Sequence, residues 1–410
     1  MYDMLKAKTS GLKAGLVDFC GELIRRPSAS LEEKEVATLV EAKMRELGYD
    51  RVLTDDAGNV VGVLFGREKG PTVLLNSHMD AVGAGDEADW ADPPYAGTVR
   101  DGHLYGRGAS DCKSGIAAQV FAGCLLKRSL LPLRGNVVVA ATVAEENGRS
   151  LGVRSLINST LPELGLRPDM AILGEPTCLG LHYGHDGWLE VEIKIEGANP
   201  FHVDHAARAV FQEFSSLRNG RLARPEQPED IAVYHPAFEE NGGVRRATLK
   251  VDRRLQHAQD PEGVVTEMNR HATLVAEAFG QVAVQAAVRV EKQRLYTGCT
   301  TVVRHITHAW STDPFHPLVE RARQTLAAAG RATVPAKWRL GRLGMGTAGG
   351  VLVTEFDIPT IGYGPGDEEV AHQTNECVDI TRLADAVYGT AAITHGLVGV
   401  PVFGWTMDEI

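Results

Sequence analysis

Cysteine is scarce and scattered in this chain: six residues in 410, Cys20, Cys112, Cys124, Cys178, Cys299 and Cys377, with no C-x-x-C spacing among them. That argues against both a thiolate zinc cage and a disulfide framework, and points to a reducing compartment. Long apolar runs are missing as well. None reaches 18 residues, and the opening MYDMLKAKTSGLKAGLVDFC is interrupted by acids and lysines, so neither a secretory signal core nor a membrane span is expected. The expected location is the cytoplasm. Basic runs are short: KWRLGRLG, from Lys337, is broken by glycines, and the net charge is −11, which disfavours nucleic acid and anionic lipid as partners. No repeat and no low-complexity segment is present.

What remains is the composition of an ordinary soluble protein, 44% hydrophobic and 23% charged. At 410 residues it exceeds what one core usually covers, so two domains are expected. Two amphipathic helices open the chain, one closed by Pro27 and one stopping at Gly48. The β-branched runs NVVGVLFG, TVLLNS, NVVVAAT and DMAILG follow, with the helix KSGIAAQVFAGCLLKRSLL between the second and third. Strands alternating with helices indicate an α/β domain, a mixed and mostly parallel sheet with helices on both faces. Near Trp188 the texture changes. WLEVEIKIEG alternates like a half-exposed strand, and a helix from about His205 to Leu217, two further strands and a second helix give a β-α-β-α-β order. The expected division is residues 1–187 and 297–410 as the α/β domain, with 188–296 inserted as a smaller α+β lid.

The chemistry gathers where strands end. TVLLNSHMD carries His78 and Asp80 at i and i+2, on one side of a strand exit. Asp111 in YGRGASDCKSG precedes a helix, Glu145 and Glu146 follow NVVVAAT, Glu175 follows DMAILG, and His372 follows IPTIGYG. Singly, each has a bland explanation: a helix cap, solvated surface acids, a turn, a loop histidine. Together they lie at the sheet edge where open α/β folds bind ligands, and two imidazoles with several carboxylates suit zinc, manganese or cobalt.

The ordered motifs SHMD, GRGASDCKSG, AEENG, GEPT and GPGDEEVAHQTNE resemble the M20 metallopeptidase and deacylase family, which includes acetylornithine deacetylase, succinyl-diaminopimelate desuccinylase, aminoacylases and carboxypeptidases. GHLYGRGASD and the YTG at Tyr296 are most similar to M20 hydrolases associated with selenium metabolism. The resemblance implies two divalent cations, zinc by default. His78, Asp111 and Glu175 would hold one, Asp111, Glu146 and His372 the other, with Asp111 bridging. It implies Glu145 as general base toward a metal-activated water, and Asp80 as the acceptor that orients His78. A lid histidine, His202 or His205, with the spacing favouring His202, would stabilise the oxyanion from the partner subunit of a homodimer, for which WLEVEIKIEG offers a sheet edge.

Four positions depart from the family pattern. Ala144 stands where an Asp usually precedes the two glutamates, which removes a hydrogen bond, and Cys112 stands where methionine is common. The lid turn GANPFHVDHAARA lacks its usual serines, and Ala348 and Gly349 replace a polar pair, which would change substrate contacts. Arg245, Arg246, Arg253, Arg254, Arg339 and Arg342 are candidate holders of a substrate carboxylate. The expected function is hydrolysis of an amide bond in a small polar molecule such as an N-acyl amino acid or dipeptide. The alternatives are an aminohydrolase releasing ammonia from an aromatic or heterocyclic amine, and an inactive metal-binding module.

Overall fold

The computed structural model describes residues 1–147, 149–218, 231–331 and 342–400. It divides into two compact units, one formed by Met1–His185, Gln293–Thr301 and Trp310–Ile410, the other by Asp186–Lys292 and Val302–Ala309. Among the described residues, no helix is long and apolar enough to cross a membrane.

The first unit is built on a six-stranded sheet. Its strands are β1 (Arg51–Thr54), β2 (Val60–Phe65), β3 (Glu68–His78), β4 (Arg134–Thr142), β5 (Met170–Leu173) and the short Thr360–Gly362, in spatial order β1-β2-β4-β3-β5-Thr360–Gly362. Pairings from β4 onward are parallel, and β1 and β2 join antiparallel. The central strands are buried on both faces, which explains why they read as unbroken Val, Leu and Ala runs. Helices α1 (Tyr2–Ile24), α2 (Lys34–Glu46), α3 (Lys113–Ser129) and Ile380–Val398 form one layer, with α3 and Ile380–Val398 packed on β3. On the other face Val153, Leu156, Leu161 and Leu352 close over Val61, Leu74, Val138 and Ala140. Parallel pairing puts the carboxyl ends of β3, β4, β5 and Thr360–Gly362 at one edge.

In the second unit the strands β6 (Gly187–Gly197), β7 (Ile231–Val233), β8 (Ala237–Asn241), β9 (Val244–Leu255) and β10 (Ala283–Val288) form an antiparallel sheet of spatial order β7-β9-β6-β10, with β8 also on β9 and Ile306–Thr307 also on β6. Helices α4 (Pro200–Arg218) and α5 (Pro261–Ala276) cover one face. Leu189, Val191, Ile193 and Ile195 of β6 point into that core, while the alternate Glu190, Glu192, Lys194 and Glu196 lie on the other face. Two expectations need correction here. The strand WLEVEIKIEG is not an edge: β6 is hydrogen-bonded to β9 on one side and β10 on the other, and among the described residues the sheet's edges are β10 on one side and β7 with β8 on the other. Helix α4 begins at Pro200, not near His205, because Asn199 accepts the Phe201 N–H at 3.0 Å and Pro200 takes the first helical position, where its missing donor costs nothing.

Burial makes His182, whose backbone pairs with Gly362, a pH-sensitive element. His182 is 3% exposed, its Nδ1 has no hydrogen-bond partner among the described residues, and burial holds its imidazole down to about 4. The unfolded chain then binds a proton near 6.5 that the folded chain refuses until about 4. Stability from this group is complete above pH 6.5 and declines as pH falls toward 4, by about 3 kcal/mol. Chemical denaturation at pH 8 and pH 4.5 should show a smaller acid loss for His182→Leu than for the wild type. Equal losses would assign the acid limb to other groups.

Candidate metal centre

The sheet edge gathers the acids and histidines singled out above. His78 ends β3 and is 2% exposed. Its Nε2 lies 3.0 Å from Asp111 Oδ1, and the other Asp111 oxygen, Oδ2, lies 3.0 Å from His372 Nε2. His372 Nε2 is also 3.0 Å from Glu146 Oε1. One carboxylate thus faces two imidazoles, one per oxygen. Two donor sets share Asp111: His78, Asp111, Cys112 and Glu175, all buried, and Asp111, Glu146 and His372, with one atom from each residue within 4.8 Å of the others in its set. Asp111 does not cap α3. Cys112 occupies the cap position, and the Asp111 carboxylate is committed to the histidines.

Electrostatics follow from this crowding. Burial acts against charge on His78, yet its contacts with the Asp111 and Asp80 carboxylates hold its pKa well above the usual imidazole value. Burial is likewise outweighed at His372, where Asp111 and Glu146 raise the pKa to about 11. Burial pushes the Glu145 carboxyl up to about 8, opposed by His78 and reinforced by Glu146, Asp80 and Asp111. Glu175 is raised well above the ordinary carboxylate value, by burial first, then with Asp111, Glu145 and Glu146 adding to it against His78. The residue is 3% exposed, and its carboxylate makes no hydrogen bond or ion pair among the described residues. Several carboxylates in so little water are stable only with protons or cations among them, and these oxygen and nitrogen donors fit divalent cations.

Asp80 does more than meet His78. His78 Nδ1 lies 2.9 Å from the backbone carbonyl of Asp80 and 3.5 Å from its carboxylate. That carboxylate also accepts the N–H groups of Glu145 (3.1 Å) and Glu146 (2.9 Å) and the Ser30 hydroxyl (2.6 Å). At Ala144, where the family's Asp side chain is absent, the backbone is held from a distance: Glu33, 0% exposed, accepts the Ala144 N–H at 2.9 Å. Ala144 sits at φ 52°, a left-handed conformation that costs an alanine energy. Two buried carboxylates, Glu33 and Asp80, hold the turn that presents Glu145 and Glu146.

A third buried carboxylate was not singled out in the sequence. Glu376 is 0% exposed and accepts the N–H groups of Gly108 (3.0 Å), Ser110 (2.8 Å) and Asp111 (2.9 Å), plus Arg107 Nη1 at 2.7 Å. Arg107 also donates to the carbonyls of Gln373 and His372. Glu376 and Arg107 therefore tie the Asp111 loop to the His372 loop. The HQTNE stretch contains the residue, but nothing local in it separates a carboxylate that accepts backbone N–H groups from one that binds a metal or faces solvent.

The comparisons with known proteins agree with this geometry. The sequence pattern of Peptidase family M20/M25/M40 matches residues 74–395. The chain belongs to that family. It is 27% identical over 401 residues to the "Uncharacterized protein YgeY" of Escherichia coli (strain K12), covering 92% of each. It is 33% identical over 189 residues to succinyl-diaminopimelate desuccinylase 2 of Ruegeria sp. (strain TM1040), covering 44% of this chain and 47% of that one. Among solved structures, the di-peptidase Dug1p of Saccharomyces cerevisiae matches with a TM-score of 0.72 at 16% identity, over 97% of this chain and 98% of that one. The YXEP protein of Bacillus subtilis, a dinuclear metal binding peptidase from the M20 family, matches at 0.68 and 17% identity, over 94% and 98%. The M20 protein described here is a metal-dependent hydrolase.

Other candidates lie elsewhere. His202 and His205 stand in the first turns of α4, in the second unit; the His202 ring packs on Gly280, and His205 Nδ1 is 2.9 Å from the Phe201 carbonyl. Arg245 is paired with Asp204 and Arg246 with Glu196 and Glu239. Arg254 lies 4.0 Å from Asp186 and over the Trp188 ring, and Arg342 donates to the His185 carbonyl. The Arg253 side chain makes no hydrogen bond or ion pair among the described residues, and Arg339 lies outside them. Ala348 and Gly349 are not available to substrate. Ala348 is 1% exposed, and a Cβ at Gly349 would fall 2.4 Å from the Trp310 ring. Trp310 occupies the volume a polar side chain would need, so the change answers core packing.

Proposed function

We propose that this M20 protein hydrolyses the amide C–N bond of a small polar substrate, an N-acyl amino acid or a dipeptide, with Glu145 as general base. The observation that carries the reading is the Asp111 carboxylate, each oxygen 3.0 Å from a different histidine, flanked by Glu146 and Glu175. His78, Asp111 and Glu175 would hold one divalent cation, and Asp111, Glu146 and His372 a second, zinc by default, with manganese and cobalt suited to the same donors. When bound, the cations supply Lewis acidity at the scissile carbonyl and neutralise the clustered carboxylates. Glu145 belongs to neither donor set. Its carboxylate is positioned by the turn that Asp80 and Glu33 pin, with Ser150 Oγ 3.3 Å from Oε1, and it takes the proton from attacking water and returns it to the leaving nitrogen.

His202 is proposed to stabilise the oxyanion, and the inserted unit to serve as a lid in a cytoplasmic homodimer. The ammonia-releasing alternative drew its support from the lid turn and from Ala348 and Gly349, and the burial of that pair beneath Trp310 leaves the turn alone behind it. Metal-stripped protein reloaded separately with zinc, manganese and cobalt should release a free amino acid from some member of a panel of N-acyl amino acids and dipeptides. Ammonia from an aromatic amine, with no acid product, would replace this reading with the aminohydrolase. No release from any substrate with metals bound would favour the inactive module.

A further inference from the structure

The two donor sets at the sheet edge differ in kind, and the difference lies in Cys112. The set around His372 has three protein donors and is partly open: His372 is 36% exposed in its side chain and Glu146 11%. The set around His78 has four possible donors, and all four residues are buried. Cys112 is 0% exposed. Its Sγ donates to the carbonyl of Gly174, the residue before Glu175, at 3.2 Å. A sulfur atom, an imidazole nitrogen and two carboxylate oxygens, all within 4.8 Å of one another, make a donor set that a packing cysteine has no reason to complete. The Glu175 carboxylate points to a ligand independently. The residue is 3% exposed and its side chain makes no hydrogen bond or ion pair among the described residues, a costly arrangement for a carboxylate among other acids unless a cation compensates it.

We propose that Cys112 is the fourth protein ligand of the cation held by His78, Asp111 and Glu175, giving that position a nitrogen, oxygen and sulfur donor set while the position at Glu146 and His372 has nitrogen and oxygen donors only. The inference rests on the two-cation reading above. On binding, the S–H bond breaks, its proton leaves to solvent, and the sulfur lone pair forms the bond to the cation; the contact with the Gly174 carbonyl is given up. A fourth protein donor would hold its cation more tightly than the three donors of the other position. Thiolate also favours zinc and cobalt over manganese and magnesium. The buried position therefore prefers zinc or cobalt, and the open position, with oxygen and nitrogen donors only, exchanges with manganese. Methionine, the residue common here in the family resemblance, has no proton to lose and would not make this distinction.

The test uses full-length metal-free protein titrated with cobalt(II), read by absorption, and the zinc-loaded form read by X-ray absorption. The first equivalent of cobalt should produce a sulfur-to-cobalt charge-transfer band in the near ultraviolet, and the zinc form a sulfur scatterer at about 2.3 Å. Cys112→Met, which preserves apolar volume, should remain folded by circular dichroism, bind two cobalt ions without the band, and hold the first zinc at least tenfold more weakly. Cys112→Ser should likewise lose the band. Two cobalt ions bound to the wild type with no charge-transfer band and no sulfur shell would overturn the proposal and leave Cys112 as packing. A protein that binds no metal would overturn the two-cation reading itself, so the two failures are separable.

Discussion

Glu145→Gln is expected to retain both cations and to lower kcat by roughly 10²- to 10⁴-fold, the contribution of a well-placed general base. The amide is nearly isosteric with the carboxylate, and the backbone that presents it is held from outside: Asp80 accepts the Glu145 N–H at 3.1 Å, and Glu33 accepts the preceding Ala144 N–H at 2.9 Å. The side chain therefore stays in place. What disappears is a basic oxygen able to take a proton from water. Metal content by mass spectrometry, beside steady-state kinetics on whichever substrate the panel identifies, separates the cases. Unchanged kcat would remove Glu145 from the reaction. Loss of one metal equivalent would move it into the donor set, in competition with Glu146.

Glu376→Ala has the largest expected effect on stability. The carboxylate receives three backbone N–H groups and the Arg107 guanidinium, which is 3% exposed. Removing it strands a buried cation and several buried donors, a loss of about 3–5 kcal/mol. Because the same carboxylate positions the Asp111 backbone and, through Arg107, the His372 loop, cation affinity should fall about 10- to 100-fold. Denaturation of metal-free wild type and variant isolates the folding term from the stabilisation that bound metal contributes by mass action. Glu376→Gln, which keeps one acceptor oxygen, should fall between the two. An unchanged metal-free midpoint would mean that the Arg107 pair contributes nothing net.

The residues that meet at the metal centre were legible for a topological reason. His78, Glu145, Glu146 and Glu175 each follow an apolar strand that is buried on both faces, and parallel strands deliver their carboxyl ends to one edge. Asp111 and His372 come from loops, and motif order rather than periodicity placed them. The supporting carboxylates were not legible. Glu33 reads as one more acid ahead of a helix, and its partner Ala144 is 111 positions away; Glu376 acts on Asp111 across 265 positions. Nothing local in LEEKEV or HQTNE distinguishes a buried acceptor of backbone N–H groups from a solvated acid. Departures from the family pattern are bound to distant residues too. The Ala144 backbone N–H is taken by a remote glutamate, and a side chain at Gly349 would meet Trp310, with which it shares no sequence neighbourhood.

By itself, then, the sequence determined the α/β class of the first unit, the alternation of the second-unit strand Gly187–Gly197, and the donor types that converge on the sheet edge, because strand burial and side-chain period act over a few residues. Only the tertiary structure decided that Gly187–Gly197 lies inside its sheet, that Asp80 and Glu33 anchor the Glu145 turn, and that Cys112 joins a donor set with His78 and Glu175. Alternation reports which face of a strand is dry but not what pairs with its edges. A buried carboxylate is likewise defined by the backbone donors that remote loops bring to it, and those meet only when the chain has folded.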